Sequence, residues 1–329
     1  MRPSSLLTDR AGPPSGERAG ARLASMLRDG DLVLPDPGHG ETVRRWARLA
    51  CWGRWDLPLA RLAEGHVDAV SILRELGGEA RPGARYGVWA ARPGGAGAEL
   101  VPASGGWRLS GTVRFCSGAL DLDRALLVAA GGPVEHGMVL VDVPLDQSGL
   151  RVDKGSWSAP GMRGSDTFDA TFDDVPVTDD DLVGPSGSYL ERPGFWWGGG
   201  GVAAVWLGGA AGVLDDVLGV STHMDEHRLA HVGALHAELQ AVDALLVRTA
   251  EEIDADPSHA HRTAVWTARA AAERVCRSVL DRAPLAAGVS GLAGSATLGA
   301  RLADLQMYVR QHHGERDLAA LGAAVAEAP

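Results

Sequence analysis

Lysine is almost missing from this chain: Lys154 stands alone, and the other thirty basic residues are arginines. Beside so much alanine and glycine, that imbalance reads as the codon usage of a GC-rich genome and carries no mechanism. Basic residues are outnumbered as well, 31 against 42 acidic, for a formal net charge of -11. Nucleic acid and anionic membranes both reward a basic surface, so no nucleic acid and no membrane partner is expected. Cysteine is scarce. Cys51, Cys116 and Cys276 lie far apart with no C-x-x-C pair, which suits neither a disulfide framework nor a zinc knuckle. No run of eighteen apolar residues is read, so no spanning helix is expected. The N-terminus shows no apolar stretch of signal-peptide type, and the expected location is cytoplasmic.

What remains is an ordinary globular composition, 45% hydrophobic and 22% charged over 329 residues, a length that suits two to three domains. Helical periodicity marks residues 15–29, with Leu23, Met26 and Leu27 on one face, then Thr42–Trp55 and 58–76, which Gly77-Gly78 ends. From Tyr86 the period changes. Trp107, Leu109, Val113 and Phe115 alternate with Arg108, Ser110, Thr112 and Arg114, the pattern of a strand with one buried face. Further strands are read at 125–130, 138–143 and 168–172, separated by Gly and Pro. After Pro185 helix returns in four long segments, 202–218, 226–252, 259–281 and 300–326, as a four-helix bundle needs. Gly198–Gly201 reads as a flexible lead into the first of them. The expected fold class is α+β: an N-terminal helical domain over 1–84, a central antiparallel β domain over 85–184, and a C-terminal bundle over 185–329.

That α–β–α order resembles the acyl-CoA dehydrogenases, and particular segments carry the likeness. GGWRLSGTVRFCSGA (105–119) is similar to the family's central β segment, and GMRGSDTFDATFDDVPVTDDDLVG (161–184) to its exit from the β domain. LARLAEGHVDAVSIL (59–73) is similar to a helix of the first domain. The resemblance implies FAD held between β domain and bundle, with Phe115, Ser117 and Gly118 beside the flavin ring. It also implies a homodimer or homotetramer, since the family reaches the cofactor pyrophosphate of a neighbouring subunit with an Arg-x-x-Phe-Gly segment followed by Gln. Here Gly233 and Gln240 keep that spacing, Leu229 and Val232 replace the Arg and Phe, and Arg228 stands one residue early. The Thr-Glu-Pro flavin segment is replaced by VWAARPGGAG (88–97).

Many members carry a catalytic glutamate eight residues after an Asp near the C-terminus. Aligning that Asp with Asp304 puts His312 at the position. His312 shares a helical stripe with Leu305 and Val309, so it is expected to face the interior as a proton-transfer group; the alternative is a buried, satisfied imidazole. Ten tryptophans against three tyrosines and four phenylalanines draw attention to Trp196 and Trp197 as a substrate floor, with core packing as the alternative. Arg163 is read as a phosphate or carboxylate partner, or else as the mate of Asp166 or Asp169. His223, His227 and His231 share a helix face, but no completing ligands follow, and no metal site is expected. Three functions stay open: α,β-dehydrogenation of an acyl thioester, a flavin monooxygenase on the same fold, and a non-catalytic binding or partner subunit.

Overall fold

The computed structural model describes residues 4–7, 17–134, 136–220 and 224–327. Three helices come first: α1 (Ala19–Asp29), α2 (Thr42–Trp55) and α3 (Leu57–Glu75). Gly30 closes α1 in the left-handed conformation. Asp56 caps α3, its side chain accepting from the Leu59 N–H, and Pro58 fits the first turn, where its missing N–H costs nothing.

The strands are β1 (Tyr86–Trp89), β2 (Ala98–Ala103), β3 (Gly106–Cys116), β4 (Arg124–Gly131), β5 (Met138–Pro144), β6 (Leu150–Asp153), β7 (Phe168–Val177) and β8 (Leu182–Val183). They form one sheet in the order β6-β7-β3-β2-β4-β5-β8, with β1 on β4. The sheet is mixed, which corrects the expectation of an antiparallel domain. β1 and β2 both run parallel to β4, pairing with 124–127 and 129–131 in turn. Periodicity reports which face is buried and is silent on strand direction. β3 bulges twice against β7, between Leu109 and Gly111 and again between Val113 and Cys116. The second bulge re-aims the end of the strand.

The C-terminal half holds α4 (Ser188–Glu191), α5 (Gly194–Val220), α6 (Glu226–Ala255), α7 (Arg262–Gly294), α8 (Ala296–Tyr308) and α9 (Glu315–Glu327). α7 bends at Gly288, with Pro284 one turn before. The single expected helix over 300–326 is two. α8 stops at Tyr308, a short 3-10 turn covers Val309–Gln311, and Gly314 turns at φ 58°. His312 therefore lies in the break, in extended backbone, and not on a continuous helix.

α5 corrects two further expectations. It is long and apolar enough by length and composition to cross a membrane, and 78% of the qualifying window is buried inside the protein. Its glycines also pack inside the helix; they are no flexible lead. A side chain at Gly208 would overlap the Ala50 carbonyl of α2, and one at Gly200 would overlap the Trp46 ring. Gly53 of α2 meets the Val205 carbonyl in the same way. Backbone thus approaches backbone along α2 and α5, as only glycine allows. One continuous apolar core joins Leu23, Trp46, Trp52 and Leu62 to Trp206, Leu235, Leu246 and Val279. A second core, with Leu109, Leu127, Val141 and Phe172, backs the sheet.

Candidate functional site

At the end of β3 the bulge leaves Phe115 at φ 61° and 44% exposed, with the Arg114 guanidinium 4.7 Å from its ring centroid. Asp169 holds this turn, accepting from the Phe115 N–H and pairing with Arg114 at 3.2 Å. Ser117, two residues on, is buried. Its Oγ accepts from Thr167 Oγ1 at 3.0 Å and from Arg61 Nε at 3.2 Å. Both bonds are donated to it, so its own hydrogen is left to give. Trp89 Nε1 donates to the Ser117 carbonyl, and Gly118, at φ 74°, donates to the Ser165 carbonyl. VWAARPGGAG becomes β1 and a turn closed on itself by Arg92, which donates to the carbonyls of Gly95 and Ala98.

Arg61 opens a polar stripe on a helix that is otherwise buried nearly all round. Arg61, Glu64, Asp68, Ser71 and Glu75 follow at helical spacing along α3. Arg61 pairs with Glu64 at 2.6 Å, and the Tyr308 hydroxyl donates to the same Glu64 oxygen at 3.2 Å. Burial pushes the Glu64 carboxyl up to about 7, against the pull of Arg61, and the Asp68 carboxyl within hydrogen-bonding reach adds to the rise. Burial and then Glu64 hold the Tyr308 hydroxyl well above the usual phenol range. Asp68 pairs at 2.8 Å with Arg45, whose side chain is only 2% exposed. Beyond Asp68 opens a cavity of about 280 Å³, walled by Asp36, Ser71, Glu75, Arg192 and Trp197 among others. Its rim is tied by fixed pairs: Arg74 with Asp36, and Arg192 with Glu75.

Ser117 and the C-terminal segment therefore meet through Arg61, Glu64 and Tyr308, one turn before His312. His312 itself is buried, its Nδ1 accepting from the Gly314 N–H. Burial lowers its pKa, against the pull of Asp317 and Glu273, and leaves a neutral ring with its proton on Nε2. Arg269, lowered by burial, sits 4.8 Å from the Trp206 ring and donates to the Gly199 carbonyl. Asp304 accepts a short hydrogen bond from the Met162 N–H, and burial raises it to about 6.

The two tryptophans part company. Trp197 walls the cavity, while Trp196 stacks edge-on with Phe195 and Trp266 under Arg262. Arg163 donates to the Ala159 carbonyl in its own loop; Asp166 and Asp169 are paired instead with Arg18 and Arg114. Arg228 and Gln240 ride on α6, which packs on α2, α5 and α7. The Arg228 guanidinium lies over Gly288 at the bend in α7. His223 lies outside the described residues. His231 contacts Arg282, and no cluster of three metal-ligating side chains occurs among the described residues.

No family model matches the sequence. Structural likeness, by contrast, runs the length of the chain. Butyryl-CoA dehydrogenase from Megasphaera elsdenii aligns at TM-score 0.79 and 16% identity, over 98% of this chain and 93% of that one. The chain has the acyl-CoA dehydrogenase fold. FMN-bound TdsC from Paenibacillus sp. A11-2 shares this fold at TM-score 0.77 and 20% identity, over 95% of this chain and 90% of that one. In sequence, the amino sugar nitrososynthase RubN8 of Streptomyces rubradiris is 37% identical over 92 residues, 27% of this chain and 20% of that protein. Arg61, Glu64, Asp68, Thr167 and Tyr308 join this candidate site through their contacts, and sequence reasoning passed over them. For Arg61, Glu64 and Asp68 the available signal was charge at helical spacing inside LARLAEGHVDAVSIL, whose remaining positions are apolar or small apart from His66.

Proposed function

We propose that the chain is a flavin-dependent monooxygenase acting on a small polar molecule. The observation that carries this reading is the cavity beside the α3 stripe. Asp36, Asp68 and Glu75 line it, and burying an acyl chain against carboxylates would desolvate them for nothing in return. The seam fits a flavin edge. Ser117 has a hydrogen to give, and half-exposed Phe115 offers apolar surface beside it. The flavin, when bound, supplies the redox chemistry. Ser117 then donates to the edge of the ring, backed by Arg61 and Thr167, while neutral His312 holds a proton at Nε2 on the bundle side. Trp197 walls the substrate cavity; Arg163, exposed on its loop, is reserved for an anionic substituent.

FAD and a homo-oligomer belong to one finer reading, in which Arg228 and Gln240 of a second copy hold the FAD pyrophosphate. FMN needs neither residue. The reading as a dehydrogenase of acyl thioesters keeps the same flavin and requires a base, for which Glu64 or His312 would have to serve.

The test is a titration of the protein with FMN and with FAD, followed by anaerobic addition of butyryl-CoA. Saturable flavin binding without bleaching by the thioester is expected, with oxygen consumed once the bound flavin is reduced. Bleaching would overturn the monooxygenase reading in favour of the dehydrogenase. Binding of neither flavin would overturn both and leave the non-catalytic subunit.

A further inference from the structure

Three hydroxyls lie in a buried row behind the end of β3. Ser165 donates to the Met162 carbonyl at 2.7 Å, and its Oγ also lies 2.8 Å from Thr167 Oγ1. Thr167 in turn donates to Ser117 Oγ at 3.0 Å, and Arg61 Nε closes the far end on Ser117 at 3.2 Å. Both ends of the row are fixed in sense, since a guanidinium only donates and a carbonyl only accepts. The turn that carries Ser165 is strained, with Met162 at φ 60° and Asp166 at φ 42° on either side. Backbone ties it to the strand end: Gly118 N–H donates to the Ser165 carbonyl and Ala119 N–H to the Asp166 carbonyl. As it stands the row is one hydrogen short. With Thr167 donating to Ser117, the Ser117 hydrogen is free, and Ser165 has one hydrogen for two acceptors, the Met162 carbonyl and Thr167 Oγ1. A buried polar contact left without its hydrogen is costly. Reversed, the row is complete: Ser117 donates to Thr167, Thr167 to Ser165 and Ser165 to Met162, and Ser117 has nothing left to give.

We propose that Thr167 and Ser165 are positioning residues for Ser117, and that their hydroxyl row reverses when an acceptor atom arrives there. In the empty protein the Ser117 hydrogen turns inward to Thr167; with an acceptor present it turns outward, and Thr167 donates to Ser117 in its place. Each hydroxyl rotates about its own C–O bond. No covalent bond forms or breaks, and no proton changes its oxygen. This deepens the function proposed above by regulating the same flavin edge, and it rests on that reading only for the identity of the acceptor. One consequence is specific to reversal. The bond that Ser117 makes outward is offset by the contact given up at Ser165, so removing the inward end of the row strengthens binding.

The experiment pairs a fluorescence titration with FMN and urea unfolding of the full chain without flavin. In Ser165→Ala nothing draws the Thr167 hydrogen inward, so Ser117 is already turned outward before the flavin arrives. This variant should bind FMN about 2–10-fold tighter than the wild type, the worth of one hydrogen bond. Ser117→Ala with Ser165→Ala should show no gain over Ser117→Ala alone, and Thr167→Ser, which keeps the hydroxyl, should match the wild type. In urea, each single alanine leaves Thr167 one hydroxyl to turn to, while the double change strands its hydrogen. The double variant should therefore lose more in urea midpoint than the two single variants together. In a Thr167→Val background the two losses should simply add. If Ser117→Ala weakens FMN while Ser165→Ala binds it no tighter than the wild type, the reversal is overturned and the flavin reading stands. Additive losses with Thr167 in place would overturn the shared hydrogen, whether or not flavin binds. Should FMN not bind at all, the flavin reading fails, and the urea cycle alone decides the proposal: a loss beyond the sum supports it, and additivity sinks it.

Discussion

Glu64 ties the stability of the fold to pH, and the size of the effect follows from its surroundings. Its carboxyl titrates near 4.5 in the unfolded chain and near 7 in the fold, where burial outweighs Arg61. The folded state therefore binds this proton more tightly, and stability must fall as pH rises through the interval between the two values. At 1.36 kcal/mol per decade the loss from this one group is about 3 kcal/mol between about pH 4.5 and pH 7. Glu64→Gln keeps the shape, still accepts from Arg61 and Tyr308, and cannot titrate. Urea unfolding from about pH 5 to pH 8 should show the wild type losing about 3 kcal/mol more than the variant across that span. His66, lowered to about 4 by burial, and Asp304, raised to about 6, titrate in the same window. They do so in both proteins, so the difference between the two curves isolates Glu64. Parallel curves, within about 0.5 kcal/mol, would refute the argument that burial governs this carboxyl.

Gly208→Ala should cost about 1–3 kcal/mol in urea unfolding, with no change in slope, because its methyl group meets the Ala50 carbonyl; no loss would mean that α2 and α5 can part freely. Ser117→Ala should weaken flavin binding about 2–10-fold in a fluorescence titration, the worth of one hydrogen bond, and unchanged affinity would remove Ser117 from the flavin edge. His312→Ala should leave flavin affinity intact while lowering turnover about 10²–10⁴-fold; equal turnover would make the imidazole structural. Light scattering should return at least twice 34.3 kDa, and Arg228→Ala should weaken FAD without affecting FMN. A monomer, or equal losses for both flavins, would break the link between assembly and cofactor.

Much of the architecture was legible because its signals are local. The alternation from Trp107 to Phe115 marked β3, and the apolar periodicity of 42–55 marked α2 to the residue. The break before α9 was invisible, since Leu305, Val309 and His312 keep helical spacing while Gly314 turns the chain. The membrane-length run in α5 was missed because its glycines were not counted as apolar; they contribute close packing instead of side-chain hydrophobicity. Ser117 was legible as the polar end of a strand. Arg61, Glu64 and Asp68 were not, because charge repeating at helical spacing ordinarily marks a solvated face. Their burial is supplied by elements far along the chain: Tyr308 donates to Glu64 across 244 residues. Tertiary contacts of that range leave no trace in a local window.

The glycine seam between α2 and α5 sets the order in which the molecule assembles. Trp46 is fully buried only once Gly200 and Gly201 of α5 lie against it, and α5 ends 165 residues after α2 does. At synthesis rates of about 5–20 residues per second, α2 spends roughly 8–30 s outside the ribosome before its partner is complete. Through that interval Trp46 and Leu49 are open to any apolar surface. α2 thus cannot reach its final packing before α5 has been made.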